Sequence, residues 1–214
     1  MNDCPPKNKF SNTAYHHGDL APALVAAGTE ILQEIGIDGL SLRAVAAKVG
    51  VSQSAPYTHF KNKKELLRAI AASGFQQLSS SIKESCSPDS SLQDTVLNYC
   101  VAYVEFAINN PDIYRLMFAQ IDPNGRKDHK RELASKADIL SKEAKNTYKL
   151  LYLANQSLYH DKEKSTRYSL GLWGLVHGLA SLITEDMIKI PDTGHHDFIK
   201  ELVAGQVIGV SELN

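Results

Sequence analysis

The chain has 214 residues, of which 43% are hydrophobic, and a formal net charge of −1, so it can bury the cores of one small and one larger domain. Its three cysteines, Cys4, Cys86 and Cys100, are odd in number and lack metal-ligand spacing, which disfavours a disulfide framework and indicates a reducing cytoplasm. No stretch reaches the roughly 18 consecutive apolar residues of a membrane span, and the N-terminus lacks a signal-peptide core, so we expect no membrane attachment.

The N-terminal segment precedes a first amphipathic helix. Residues 1–15 are polar and contain two adjacent prolines, a composition that predicts a flexible arm. Beginning at about residue 18, apolar side chains recur at helical spacing up to Ile35, and Gly36 is expected to end this helix. The predicted buried stripe consists of Leu20, Leu24, Ala27, Ile31 and Ile35.

Residues 41–60 predict two short helices joined by a glycine. Ser41 can cap the first helix, and Gly50 can end it because glycine tolerates the left-handed conformation. Ser52 is expected to cap the second helix, which Pro56 should keep short and tightly wound. The apolar stripe of the first helix comprises Leu42, Val45, Ala46 and Val49. Together the two helices form a helix-turn-helix.

Positive charge is concentrated in and after this helical pair. Between residues 39 and 68, one anion, Glu65, faces six cations, giving a net of +5: Arg43, Lys48, Lys61, Lys63, Lys64 and Arg68. Such a patch, beside hydrogen-bonding side chains, suits the phosphates and base edges of DNA. The candidate DNA contacts are Ser41, Arg43, Ser52, Gln53, Ser54, Tyr57, Thr58, His59, Lys61 and Lys63. The alternative is an ordinary helical pair with a solvated basic face.

A longer helix follows and connects this region to the rest of the chain. Asn62 and Glu65 have the spacing of a capping box, which predicts a helix start at this point. The helix is expected to continue to about Glu84. Lys63 and Lys64 oppose the helix dipole in its first turn, an arrangement that makes sense beside a phosphate.

Residues 14–70 resemble the N-terminal domain of the tetracycline-repressor (TetR) family of bacterial transcription regulators. The resemblance is carried by His16-His17-Gly18-Asp19-Leu20, Ser41-Leu42-Arg43, Val51-Ser52-Gln53-Ser54-Ala55-Pro56-Tyr57, and His59-Phe60-Lys61 with Lys63 and Leu66. It implies a homodimer that binds a double-stranded DNA operator and is released by a small-molecule effector. In such proteins, ligand binding in the larger domain displaces the connecting helix and changes the spacing of the two DNA-reading helices.

The remainder of the chain reads as helical, with no strand pattern. We expect a loop at residues 85–91, helices at 91–109 and from Asn110-Pro111 to Phe118, and a long helix at 127–158. The predicted fold is therefore all-α: an N-terminal three-helix helix-turn-helix DNA-binding domain and a larger C-terminal helical ligand-binding and dimerisation domain. The expected divisions are a flexible arm at 1–15, the DNA-binding domain at 16–70 and the regulatory domain at 71–214.

Two glycine-containing segments near the C-terminus are the candidates for dimerisation. Three glycines share one face of the helix predicted within residues 161–187, and small residues on one face favour close helix approach. A final helix is predicted at about 196–210. The interface candidates are Gly171, Gly174, Gly178, Leu202 and Gly205. The run Trp173-Gly174-Leu175-Val176-His177-Gly178 is similar to the regulatory domain of a TetR subfamily named for its Trp, His and Gly.

Aromatic residues of the larger domain are the candidates for an effector pocket, although aromatic residues at helical spacing are more often core. They are Tyr99, Tyr103, Phe106, Tyr114, Phe118, Trp173 and His177. We expect no enzyme activity, because neither a nucleophile motif nor a phosphate loop accompanies them. A metal held by His177 and the His195-His196-Asp197 run is disfavoured, so no cofactor is predicted. A constitutive DNA-binding dimer without a ligand remains the alternative function.

Overall fold

The computed structural model describes residues 20–119, 139–191 and 194–211. Its regular elements are α1 Leu20–Gly39, α2 Leu42–Val49, a 3₁₀ helix Ala55–Thr58, α3 Lys63–Glu84, α4 Leu92–Asn109, α5 Pro111–Phe118, α6 Ile139–Tyr159, α7 Lys162–Thr184 and α8 His195–Ser211. The all-α prediction is confirmed. The predicted arm and the first part of the helix expected at 127–158 lie outside the described residues.

Local signals place the start and end of α2 where the sequence predicts them. The Ser41 hydroxyl accepts a hydrogen bond from the Ala44 amide at 3.1 Å, which satisfies one free N–H of the first turn. Gly50 adopts φ 78°, and its own amide and that of Val51 donate back to the last carbonyls of the helix. These two caps fix the angle at which the chain leaves α2.

The second helix of the pair is shorter than an α-helix and begins later than predicted. It is a 3₁₀ turn over Ala55–Thr58, so Gln53 and Ser54 lie in the turn before it. The prediction that the Ser52 side chain caps it is wrong, because the Ala55 amide bonds to the Ser52 backbone carbonyl instead. Buried Pro56 explains the tight winding, since it has no N–H and restricts the preceding residue.

The end of α1 departs from the predicted stripe. Gly36 interrupts the helical geometry with φ 75°, as expected of a breaker, but α1 resumes and extends to Gly39. Ile35 is wrongly predicted as core: it is 63% exposed and lies over Gly39, while Leu40 fills that end of the core at 1% exposure. By length and composition alone α1 could cross a membrane. In this fold, however, its buried side chains pack against α2 and α3.

The long helix α3 is shared by both parts of the chain. Its start is confirmed, since Asn62 Oδ1 accepts from the Glu65 amide at 3.0 Å, although the returning Glu65 carboxylate bonds to the Lys61 amide rather than to Asn62. The first half of α3 packs on α1, and the helix continues against α4, α5 and α6. Its buried side chains belong to one continuous hydrophobic core. The division at residue 70 stays a prediction.

Candidate functional site

A polar surface surrounds the 3₁₀ helix. Pro56 and Phe60 point into the core and hold the short helix against α2, which leaves its other side chains in solvent. Tyr57 is 52% exposed. The predicted DNA contacts that lie exposed are Arg43, Ser52, Gln53, Ser54, Tyr57, Thr58, His59 and Lys61. This surface therefore combines cations with hydrogen-bonding side chains of the sizes that reach phosphates and base edges.

In the described part of the chain, five predicted DNA contacts already have intramolecular partners for their side chains: Ser41, Ser52, Ser54, Thr58 and Lys63. Two of them, Ser41 and Lys63, matter for the local fold. Ser41 uses its hydroxyl as the cap of α2 and is only partly exposed. Lys63 Nζ donates to the carbonyl of Ile37 at 2.6 Å, at the end of α1. Charge near a helix C-terminus is favourable, so this bond helps to fix α1 to the start of α3. Replacing Lys63 would therefore disturb the local fold as well as any phosphate contact.

The positive patch is smaller than the sequence count indicates. Lys48 Nζ lies 3.0 Å from a Glu30 carboxylate oxygen and 2.8 Å from one of Glu34, both on α1. The sequence window of 39–68 excluded these two anions, and only the tertiary fold brings them to Lys48. The charge of Lys48 is thus offset within the protein, and the cations offered to DNA lie on either side of the 3₁₀ helix.

In the larger domain, His177 is the centre of a cluster with two tyrosines. Tyr114 on α5 places its hydroxyl 2.7 Å from His177 Nδ1, and Tyr103 on α4 places its hydroxyl 3.4 Å from the same atom. The two tyrosines are almost fully buried, whereas His177 is partly exposed. The fold therefore joins three predicted effector contacts from three different helices.

Further aromatic rings extend this cluster along α7. The Phe118 ring lies 4.3 Å from that of His177, centroid to centroid, and Trp173 lies one helical turn before His177. The centroid of the Trp173 ring lies 6.3 Å from that of Tyr103 and 5.0 Å from that of Tyr148. Tyr148 was not among the predicted residues, because the periodicity of α6 does not reveal which of its side chains meets α7.

Burial sets the protonation of this cluster. It lowers the pKa of His177 below its ordinary value, which favours the neutral ring near pH 7. It also raises the pKa values of the Tyr103 and Tyr114 phenols, which therefore stay protonated. The cluster is thus uncharged and can exchange hydrogen bonds, but it supplies no charge to balance a charged ligand.

The other two predicted effector residues have different positions. Tyr99 is buried behind Tyr103, with ring centroids 6.4 Å apart, and donates to the Thr147 carbonyl at 3.2 Å, so it supports the cluster from the core. Phe106 lines a polar groove of about 410 Å³ on the outer side of α3 and α4. Its groove neighbours there include Ser73, Gln77 and Asn110, none of which belongs to the aromatic cluster.

Helix α5 connects the aromatic cluster to α3. Its Tyr114 and Phe118 side chains contact His177, while Ile113 and Met117 pack on α3 at Gly74. A methyl group added at Gly74 would lie 2.7 Å from Ile113 Cγ2 and 2.8 Å from Met117 Sδ, so the two helices are in close contact. Helix α5 also contacts α1. A displacement of α5 would therefore reach the DNA-binding region through these contacts.

The predicted interface glycines lie on the outside of the chain. A Cβ atom built at Gly171, Gly174, Gly178 or Gly205 would meet no atom of the described residues within 4 Å. Exposed apolar side chains accompany these glycines on α7 and α8: Leu170, Leu182, Phe198 and Leu202, each between 39% and 59% exposed. The expected close helix approach is thus not made among the residues that the structure describes.

The histidines near the start of α8 do not form a metal site in the described part of the chain. His196 Nδ1 lies 2.7 Å from a Glu105 carboxylate oxygen on α4, a contact that fixes α8 to the core. Among the described residues, no three side chains of the metal-binding types stand close enough together to hold an ion.

The sequence was compared with models of known protein families. Residues 24–70 match the family described as bacterial regulatory proteins of the tetR family. Residues 96–205, about half of the chain, match the tetracyclin repressor-like C-terminal domain. The first match includes the helix-turn-helix and the second includes the aromatic cluster and both outward helical faces.

Matches to individual proteins agree with these two family matches. An uncharacterized HTH-type transcriptional regulator of Bacillus subtilis, YobS, is 26% identical over 166 residues, which cover 78% of this chain and 80% of YobS. The class A tetracycline repressor from transposon 1721 of Escherichia coli is 46% identical over only 48 residues, or 22% of either protein. A Rhodococcus sp. RHA1 structure of unknown function aligns with TM-score 0.69 at 25% identity, covering 91% of this chain and 96% of that one.

Proposed function

Because the chain belongs to the tetR family of bacterial regulatory proteins, we propose that it is a homodimeric DNA-binding repressor in the cytoplasm that a small-molecule effector releases from its operator. The observation that carries the proposal is the exposed polar surface of the 3₁₀ helix, which packs on α2 and α1. The class A tetracycline repressor covers too little of this chain to transfer its ligand. The Trp-His-Gly subfamily remains a finer assignment, supported by Trp173, His177 and Gly178.

The DNA contacts follow from which side chains leave the core. Gln53 and His59 are exposed at the two ends of the 3₁₀ turn and are suited to base edges. Tyr57, Arg43 and Lys61 lie exposed beside them and are suited to phosphate oxygens, which position the protein without reading sequence. The loss of a base contact should therefore relax sequence preference, whereas the loss of a phosphate contact should weaken binding to every duplex.

A dimer is supported by the outward faces of α7 and α8. Both helices pack on α4 by one side and present glycines and large apolar side chains on the other. Two copies related by a two-fold axis would bury these faces in a four-helix contact of the same surfaces. The two 3₁₀ helices must then lie about 34–36 Å apart to enter successive major grooves.

An effector site is supported by the cluster around His177. A ligand that contacts Phe118 or Tyr114 acts on α5, which packs on α3 at Gly74. Since α3 carries the DNA-binding region, a small shift of α5 would change the spacing of the two DNA-reading helices. Ligand and DNA must then weaken each other's binding by the same factor, typically about 5–150-fold.

The experiment has two steps. A pool of random duplexes is first enriched on the purified protein, and its affinity for the enriched sequence is compared at fixed salt with that for a scrambled duplex. Metabolites that raise the melting temperature are then titrated by calorimetry with and without the enriched duplex. Equal affinity for both duplexes would refute specific DNA binding. Ligand affinity that is indifferent to the duplex would refute release by ligand.

The alternative is a DNA-binding dimer that has no effector. It is favoured by the completeness of the His177 cluster, in which Tyr114 already satisfies Nδ1 at 2.7 Å, as in an ordinary polar core. A protein that selects an operator but responds to no metabolite in the second step would support this alternative.

A further inference from the structure

His177 has one ring nitrogen committed within the protein and one left available. Within the described part of the chain, its hydrogen bonds are made through Nδ1, to Tyr114 at 2.7 Å and, more weakly, to Tyr103 at 3.4 Å. The Tyr114 phenol can donate to Nδ1 or accept from it, and it also lies 3.4 Å from the His177 carbonyl oxygen. We take the arrangement in which the phenol donates to Nδ1. The neutral ring must then carry its proton on Nε2. His177 therefore offers one N–H donor to a molecule outside the cluster.

The available donor lies among flat apolar surfaces. Phe118 is 37% exposed and its ring lies 4.3 Å from that of His177, while partly exposed Trp173 lies one turn earlier on the same face of α7. The Phe118 ring beside the His177 ring provides a surface on which another aromatic ring can stack in offset or edge-to-face geometry. The Trp173 ring lies against Tyr103 and Tyr148 one turn away. The site therefore favours an aromatic molecule that carries a hydrogen-bond acceptor.

The cluster is poorly suited to a charged molecule. The described side chains that hydrogen-bond to the His177 ring or pair with it as aromatic rings are Tyr103, Tyr114 and Phe118, none of which carries a formal charge. Arg115, which follows Tyr114, is committed to Glu185, Asp112 and the Thr184 carbonyl. A second proton on the His177 ring would go to Nδ1 and would reverse the bond with Tyr114, whose phenol oxygen would then accept it. Burial disfavours that charged ring. An ammonium group here would meet no anion, and a carboxylate would have only one neutral N–H donor to offset its desolvation.

From this geometry, and on the premise that the chain has an effector, we infer that the effector is an uncharged aromatic molecule whose carbonyl or hydroxyl oxygen accepts a hydrogen bond from His177 Nε2. It stacks on Trp173 and Phe118. Because Phe118 and Tyr114 both belong to α5, the molecule bears directly on the helix that contacts α3.

The test uses four naphthalenes substituted at the same ring carbon: acetylnaphthalene, ethylnaphthalene, naphthoate and naphthylmethylammonium. Trp173 is the one tryptophan in the sequence, so quenching of its fluorescence reports binding at this site, with free tryptophan amide as the optical control. The ketone should bind about five- to tenfold more tightly than the ethyl compound, which keeps the two-carbon substituent but lacks the acceptor oxygen. The two charged compounds should bind at least about a hundredfold more weakly than the ketone.

Two variants distinguish the role of His177 Nδ1 from that of Nε2. In His177→Asn the side-chain amide stands near the Nδ1 position and the Nε2 donor is lost, so the preference for the ketone over the ethyl compound should disappear. In His177→Gln an amide reaches the Nε2 position and most of the preference should remain. Circular dichroism and melting temperature verify that both variants fold. If neither variant folds, the ranking of the four compounds on the unaltered protein still tests the inference.

Three results would overturn the inference. The first is naphthoate or the ammonium compound binding within about tenfold of the ketone. The second is an undiminished ketone preference in His177→Asn, and the third is the absence of binding by either uncharged compound. The test is independent of DNA release: if the ketone binds as ranked but leaves operator affinity unchanged, the ligand class stands and release by this ligand fails.

Discussion

Replacing Gly174 by leucine gives opposite results for a solvent-exposed face and for a dimer interface. Among the described residues of its own chain, a Cβ at Gly174 meets nothing within 4 Å, so the larger side chain clashes with none of them in a monomer. Leucine should then stabilise α7 by somewhat less than about 1 kcal/mol, the difference in helix propensity from glycine. The monomer geometry alone therefore predicts a higher melting temperature for Gly174→Leu.

With a partner molecule packed on this face, Gly174→Leu would be destabilising instead of stabilising. Overpacking at a close helix contact costs about 1–3 kcal/mol, and a loss of that size weakens dimerisation by roughly 5–150-fold. Because Leu170, Leu182, Phe198 and Leu202 are exposed on the same two helices, we expect this second outcome.

Sedimentation across a range of protein concentrations measures the dimer, and thermal melting measures the fold. Lys145→Leu is the matched control, since it adds the same side chain at an exposed position of α6, outside the α7 and α8 faces, and should leave the dimer unchanged. An unaltered dimer with a raised melting temperature for Gly174→Leu would refute the interface and place the glycine face in solvent.

Other predictions test the DNA contacts, the α3 to α5 contact and the histidine. In competition binding, Gln53→Ala should cost about 1–3 kcal/mol of binding free energy on the selected operator and relax the base preference at one position in each half-site. Tyr57→Phe should weaken binding to the operator and to the scrambled duplex alike. Equal losses on both duplexes for Gln53→Ala would refute base reading. Gly74→Ala should destabilise the protein in chemical denaturation, because overpacking of about 1–3 kcal/mol exceeds the gain in helix propensity of about 1 kcal/mol. Combining it with Ile113→Ala should cost less than the sum of the single changes, and strict additivity would contradict the clash. Because burial lowers the folded-state pKa of His177 below its unfolded value, its contribution to stability is present above the unfolded pKa and is lost as pH falls through the folded pKa. The melting temperature should therefore fall less for His177→Gln than for the unaltered protein between about pH 8 and pH 5, and parallel curves would argue against burial of the neutral ring.

Sequence reasoning succeeds in this chain where neighbouring residues decide the structure. The Ser41 and Asn62 caps, the left-handed Gly50 and the break at Gly36 act over three or four residues, and the structure confirms each one. Pro56 similarly restricts its own turn and so shortens the DNA-reading helix. Helical periodicity adds the all-α fold, because it records which side of each helix is apolar.

Which surfaces meet was decided only by the tertiary structure. Periodicity identifies Tyr114 and His177 as inward-facing, but their hydrogen bond joins residues 63 positions apart and depends on how α5 packs on α7. The same holds for Lys48, whose partners on α1 remove it from the positive patch, and for Lys63, whose ammonium is bound by the end of α1.

The glycine face shows the same division between local and tertiary information. The sequence shows that Gly171, Gly174 and Gly178 share one side of a helix and therefore permit a close approach. Whether that side faces its own core or another molecule depends on which side of α7 the core occupies, and helix packing on α4 turned the glycines outward. Local sequence determines the shape of a helix face, because backbone geometry repeats over a few residues. Its partner is determined by long-range packing, which no local spacing encodes.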